Sequence, residues 1–372
     1  MVKAFLLYLL IFLILFSSLF LSLYHYFDKI DLQLLRGIRT IIIFSNIVIL
    51  TEIFYFFVLK NRKVEEKIKN IALTIYTLFL IFFVFEEIFM FVAQTHGVGY
   101  TLAHVNWTRR YWKPINSLGY RDKDFSTEDI LKKKKIFVLG DSLAAGTAIK
   151  NSNDRFSNLL GKKLTPNYVV LNLGSGGAGT RSEFKKLVEF PFKPDILILQ
   201  YYGNDIDEVA YSMEKWLSGF QPYQDLIKIL QPLVKYSYFL NYLYWQFPHT
   251  ETQPYINSLI SAYNDQRVFK EHLSDLNKIV EFSKKNKIPL IVVIFPFLRD
   301  LETSQIFTIP IEKFLNEKET VVINVSNLIV NLPPAKRTVN SNDNHPNVLV
   351  NRLVAEELYQ SLLKNKLITP NP

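Results

Sequence analysis

The stretch KKIFVLGDSLAAGTAI, Lys134 to Ile149, passes from a short apolar, strand-like run straight into Gly-Asp-Ser. A strand ending this way delivers a serine hydroxyl at its carboxyl tip, close to the start of the helical segment that follows. Free backbone N–H groups at a helix start stabilise negative charge, so Ser142 stands where a nucleophile can work. Asp141 and Ser142 would equally well terminate a strand and cap a helix. The rest of the chain has to decide between the two uses.

On both sides of this stretch the sequence alternates short apolar strands with amphipathic helices. The candidate strands are Ile136–Leu139, Tyr168–Leu173, Ile196–Gln200, Leu290–Phe295 and Val321–Asn324, each rich in β-branched residues as expected of strands covered on both faces. Helical stretches run over Arg155–Leu164, Arg181–Phe190, Lys270–Lys285 and Val348–Lys364. Such alternation predicts an α/β fold: a doubly wound, three-layer domain with a parallel five-stranded sheet and right-handed crossovers. In that architecture ligands bind at the carboxyl ends of the strands.

The other strand ends carry matching chemistry. The second runs into NLGSGGAGT, whose glycines at 174, 176, 177 and 179 permit close backbone approach and a nest of N–H donors. The third runs into YYGNDID, which sets the Asn204 side-chain amide at the same edge. Far downstream, SNDNHPN places Asp343 two residues before His345, just ahead of the final helix. A nucleophile, a base and two kinds of oxyanion donor thus fall in loops that the topology can bring together.

These residues resemble the SGNH, or GDSL-type, hydrolase family over roughly residues 115 to 365. GDSL at 140–143 matches its first block, NLGSGGAGT is similar to the second, GND at 203–205 matches the third, and NDNHPN resembles the last. The preceding NSLGYRD is also similar to what membrane-tethered members carry. The resemblance implies Ser142 as nucleophile and His345 as base, with the Ser142 N–H, the Gly177 N–H and the Asn204 amide as the oxyanion hole. It implies acyl transfer without cofactor or metal. One departure stands out: the family's acid normally lies three residues before the histidine, where this chain has Asn342. Either Asp343 orients His345 from an altered loop, or the site is a Ser-His dyad with a neutral acceptor.

Composition narrows the remainder. The 372 residues include no cysteine, which excludes disulfides, thiolate zinc sites and a cysteine nucleophile. The formal charge of +9 comes from scattered Lys and Arg rather than a nucleic-acid-binding stripe. Apolar residues crowd the N-terminus, where runs at about 4–24, 40–59 and 71–92 are each long enough to cross a hydrocarbon core. The expected organisation is therefore an all-α three-helix transmembrane anchor over 1–94, a linker over 95–130 and a hydrolase domain over 131–367; the first run alternatively reads as a cleaved signal peptide. The loop between the second and third runs carries Lys60, Arg62, Lys63, Lys67 and Lys69, which favours the cytoplasm and sends the later domain outward. Glu52, Glu86 and Glu87 are costly at membrane depth and would mark a pathway or a polar contact inside the bundle; Glu86 and Glu87 are instead expected near the outer end of a tilted helix, reaching interfacial water.

An insertion at about 209–266 is rich in aromatics, including YSYFLNYLYWQF at 236–247. It would form an acyl-chain pocket, lie on the bilayer surface, or cap the domain with a small core of its own. Together these features predict a membrane-anchored serine esterase or O-acyltransferase acting on an ester-bearing envelope glycan or lipid. The rival expectation is a catalytically degenerate domain that binds glycan or acts as a scaffold, motivated by the displaced acid.

Overall fold

The computed structural model describes residues 32–61, 63–214, 222–223, 225–247 and 252–369. The first expected span, at 4–24, lies outside the described residues. Those described divide into two compact units. One takes the described chain up to Gln94, Thr101–Asn106 and the insertion from Tyr223 to Phe247; the other takes Thr95–Tyr100, the described residues from Trp107 to Pro222, and those from Thr252 onward.

In the second unit, β1 (Lys134–Leu139), β2 (Tyr168–Asn172), β3 (Ile196–Tyr201), β4 (Leu290–Ile294) and β5 (Val321–Asn324) form one parallel sheet in the order β2-β1-β3-β4-β5. The strand period of two sorts their side chains between the two faces. Phe137, Leu139, Leu197, Leu199, Tyr201, Val292 and Ile294 join one core, whereas Ile136, Val138, Ile196, Ile198, Ile291 and Val293 join the other. Helices Thr180–Glu189, Gln266–Asn286 and Gln305–Glu317 cover the first core, and Phe156–Leu164 and Val348–Lys364 cover the second. This is the three-layer, doubly wound arrangement expected from the sequence. Its topological switch point lies between β1 and β3, so the segments following these two strands flank the crevice where such sheets bind ligands.

Element ends moved by a residue or two in most cases, and several elements were not anticipated, among them the helix Gln305–Glu317 and a hairpin. Thr338–Asn340 (β6) and Asp343–Pro346 (β7) form a small antiparallel hairpin where the sequence suggested a loop. Strands of three and four residues are too short to display a period.

In the first unit, helices Leu32–Phe54 and Glu66–Phe89 hold the second and third apolar runs, and Thr40–Leu59 and Glu66–Phe89 are long and apolar enough to cross a bilayer, with mean hydropathy 2.3 and 2.0. Phe54 stacks on Tyr76 at 4.6 Å between ring centres, and the Thr40 hydroxyl donates to Glu87 at 2.9 Å. Glu86 does not reach water. It is buried, and its carboxylate accepts from the Ser237 hydroxyl at 2.7 Å and from the backbone N–H of Tyr238 and Phe239 at 2.8 and 3.0 Å. Those donors belong to the aromatic insertion, whose return toward the helix no local pattern could disclose. Phe239 stacks on Phe85 at 4.9 Å, and Tyr242 packs on Phe89 at 4.8 Å.

Candidate active site

The loop leaving β1 is shaped by close packing. Gly140 has φ +152°, and a Cβ built on it would lie 2.4 Å from Gln200 Oε1 and 2.7 Å from Ala144 Cβ. Asp141 then caps the single-turn helix Ser142–Ala145, its carboxylate accepting from Leu143 N–H at 2.8 Å. From the neighbouring strand, buried Gln200 accepts the N–H groups of Asp141 and Ala144 at 3.0 and 3.1 Å. Asn172, at the end of β2, donates to the Ala144 carbonyl at 2.7 Å and accepts from Gly174 N–H at 2.9 Å. The serine turn is therefore held by side chains from the strands on either side of it.

Two buried arginines fix the far side of that turn. Arg155 donates to the Ala145 carbonyl at 3.2 Å and pairs with Asp122 at 3.5 Å; Arg121 donates to the carbonyls of Gly146 and Ile149 and lies over the Trp112 ring. Desolvation lowers both guanidinium pKa values to about 10, so each remains charged near neutrality.

His345 comes from β7, and its Nε2 lies 2.9 Å from Ser142 Oγ. Its Nδ1 lies 2.6 Å from Asp343 Oδ1, which also accepts the His345 backbone N–H at 3.0 Å. In a strand, residues two apart face the same side, so a carboxylate at this spacing can meet the ring. Asp343 is fully buried, while His345 keeps 16 % of its side-chain surface. Burial disfavours charge on both groups, yet their mutual attraction and hydrogen bonds prevail. The Asp343 pKa falls well below the usual carboxylate range, and that of His345 rises above its ordinary 6.5.

The hairpin is gripped by the segment just past Gln94. Gly97 N–H donates to the Asn342 carbonyl at 2.8 Å, and Asn340 Nδ2 donates to the carbonyl and hydroxyl oxygens of Thr95 at 3.2 Å each. Thr95 also supports the ionised form of Asp343.

The donors expected for an oxyanion sit on neighbouring loops. Asn204, in the single turn Gly203–Ile206 after β3, is half-buried, and its side chain favours the ionised form of Asp141. Gly177, in the turn after β2, is exposed with φ +72° and open space where a Cβ would point. Gly174, by contrast, brings the loop so close that a Cβ would meet the Ala145 nitrogen at 2.5 Å. Behind these loops Asp141, Glu183 and Asp205 are all buried. Desolvation and mutual repulsion push the carboxyl pKa values of Glu183 and Asp205 well up; burial raises that of Asp141 too, with opposition from His345. A cavity of about 210 Å³ includes Asn344, the neighbour of His345, and has a mixed lining: Tyr202, Ile256, Ile260, Phe297 and Leu298 on one hand, Arg299, Asp300 and Thr303 on the other.

The GDSL-like lipase/acylhydrolase family pattern matches residues 136–358, more than half of the chain. The chain belongs to that family. Its GDSL hydrolase domain is similar to solved structures at low identity. The lipase/acylhydrolase from Enterococcus faecalis is 12 % identical, with 64 % of this chain and 99 % of that one covered and a TM-score of 0.42. The psychrotrophic esterase EstA from Pseudoalteromonas sp. is 15 % identical, with 63 % and 100 % covered and a TM-score of 0.39. A carbohydrate acetylesterase family member from Sinorhizobium meliloti is 12 % identical, with 63 % and 100 % covered and a TM-score of 0.38. No curated protein matches the sequence.

The motif blocks pointed to Ser142, Gly177, Asn204, Asp343 and His345, but not to the groups that hold the GDSL turn. Gln200 had a signal, as the one polar residue between the apolar run of β3 and its aromatic end. Arg121 and Arg155 had none, because their partners are mostly backbone carbonyls; Asp122 pairs with Arg155, 33 positions away, which no local pattern could show.

Proposed function

We propose that this chain is a membrane-anchored serine esterase that works through Ser142, His345 and Asp343. The observation that carries the reading is His345 bridging Ser142 Oγ and the Asp343 carboxylate at 2.9 and 2.6 Å. His345 Nε2 takes the hydroxyl proton as Ser142 Oγ attacks the ester carbonyl. The resulting oxyanion is held by the N–H groups of Ser142 and Gly177 and by the Asn204 amide. As the C–O bond breaks, the imidazolium returns its proton to the leaving alcohol, and Asp343 stabilises the cation in the interval. His345 then deprotonates a water, or an acceptor hydroxyl, which releases the acyl group and regenerates Ser142.

The apolar side chains of Tyr202, Ile256, Ile260, Phe297 and Leu298 in the cavity beside Asn344 support a small acyl group as the part of the substrate bound there, with Arg299, Asp300 and Thr303 making the rest of the wall polar. The two long apolar helices and the lysines between them support an N-terminal anchor over 1–94 with the hydrolase domain on the outer side. An ester-bearing glycan or lipid of the envelope is the substrate class that suits such a placement. The intact Ser142–His345–Asp343 spacing counts against a degenerate scaffold. The test is labelling of the purified protein with a fluorophosphonate: Ser142 should be modified, and the label should vanish in Ser142→Ala. An unmodified wild-type protein across neutral and alkaline pH would overturn the reading.

A further inference from the structure

The insertion between Tyr223 and Phe247 is tied into a small body of its own. Asn241 donates to the Tyr223 hydroxyl at 2.9 Å and to the Val234 carbonyl at 3.2 Å, Gln231 donates to the Leu226 carbonyl at 3.0 Å, and Trp245 packs edge-on against Tyr223. Glu86 joins this body to the last turn of helix Glu66–Phe89 by capping the start of helix Tyr238–Tyr244. The three donors to Glu86 and the stacking of Phe239 on Phe85 leave the insertion no freedom to drift from the end of that helix.

On this tethered body, Ile227, Ile229 and Leu233 are 65 %, 76 % and 56 % exposed, and Leu230 is exposed beside them. Lys228 and Lys235 are interleaved with these side chains and are also exposed. Four large aliphatic residues facing solvent within seven positions are unfavourable unless something covers them. The helix to which the body is fixed is equally bare: Leu78, Val84 and Ile88 are exposed along its length. Whatever solvates that helix therefore continues to the level of the insertion.

We propose that residues 226–235 form a lipid-facing surface, in which Ile227, Ile229, Leu230 and Leu233 enter the bilayer interface and Lys228 and Lys235 meet anionic headgroups. Glu86 acts as the latch that holds this surface at the depth of the helix end. Aliphatic residues alternating with lysines suit this boundary, because the stems of lysine lie along apolar surface while the ammonium groups stay with phosphate. The proposal rests on the anchor reading above.

The absence of cysteine makes the test direct. Single cysteines at Ile229, Leu233, Leu78 and Lys285, in the full chain reconstituted into nanodiscs containing phosphatidylglycerol, are labelled with a polarity-sensitive fluorophore. Nitroxide lipids carry the quencher either near the headgroup or deep in the acyl chain. Leu78→Cys should be quenched by the deep nitroxide and Lys285→Cys by neither. Ile229→Cys and Leu233→Cys should be blue-shifted and quenched chiefly by the shallow one. Charge reversal in Lys228→Glu with Lys235→Glu, or loss of the latch in Glu86→Ala, should weaken that shallow quenching while Leu78→Cys stays deep. If Leu78→Cys is quenched but positions 229 and 233 match Lys285→Cys, the surface proposal is wrong and the anchor stands. If Leu78→Cys is not quenched either, both fall. Quenching replaced by crosslinking between two copies at position 229 would assign the face to self-association and also overturn the proposal.

Discussion

The Asp343 carboxylate meets two nitrogens of a residue two positions along, the backbone N–H of His345 and its ring Nδ1, through a single oxygen. A short strand thus accomplishes what a longer loop would do with a three-residue spacing. If this contact fixes the tautomer and stabilises the imidazolium, Asp343→Asn should lower kcat by about 10³-fold or more with a much smaller change in KM. Asn342→Ala should be mild by comparison. Steady-state kinetics on an activated acetyl ester measures both, and a crippled Asn342→Ala beside a nearly normal Asp343→Asn would assign the orienting role elsewhere.

The same contact sets the pH dependence. His345 must be neutral to accept the Ser142 proton, and its pKa is raised above 6.5 by Asp343 and, more weakly, by Asp141, against the opposing effect of burial. Activity should therefore be lost as pH falls through a midpoint higher than 6.5. In Asp343→Asn the acidic limb of kcat/KM should move to lower pH while the plateau drops. A limb that stays in place would mean that the titrating group is not His345.

Asn204 should behave as a donor to developing charge. Its replacement by alanine removes one hydrogen bond to the oxyanion and should reduce kcat on the order of 100-fold. Thermal unfolding of the variant, measured beside the kinetics, separates this loss from damage to the contact with Asp141.

Two glycines of one loop should respond differently to alanine. At Gly174 a methyl would strike the Ala145 backbone nitrogen, so Gly174→Ala should disturb the serine turn and lower both the melting temperature and the labelling of Ser142. At Gly177 there is open space, and the only penalty is φ +72°, about 1–2 kcal/mol for a residue with a Cβ. Gly177→Ala should fold, and any loss of turnover would report displacement of its N–H. Equal unfolding of both variants would contradict this distinction.

Gln200 should matter through the serine turn that it holds. In Gln200→Leu the N–H groups of Asp141 and Ala144 lose their acceptor, costing about 1–3 kcal/mol for each buried group left unpaired. Chemical denaturation should show that loss. Gln200→Glu retains an acceptor oxygen and should recover part of the stability.

The sheet was legible because its strands are apolar on both faces and begin and end in the turn residues that punctuate α/β chains. Val321–Asn324 and Val348–Lys364 match the structure residue for residue. The serine, the histidine and the asparagine were legible because each lies in a recognisable block, Ser142 and Asn204 just past a strand and His345 shortly before the last helix. What the sequence concealed was support carried by distant backbone. Arg121 and Arg155 act through carbonyls, whose positions depend on the folded path rather than on residue type. The contact of Glu86 with residues 237–239 joins positions about 150 apart, beyond the reach of hydropathy or periodicity.

Ser142 and His345 are separated by 203 residues, and the hairpin bearing His345 is in turn clasped by Thr95 and Gly97 from the other side of the serine. If Ser142 is the nucleophile and His345 its base, the nucleophile emerges during synthesis long before the group that activates it. A nascent chain still threading from the ribosome therefore carries an inert alcohol at position 142. On the proposed mechanism, reactivity begins only when the hairpin bearing His345 has been made and packed against the serine turn.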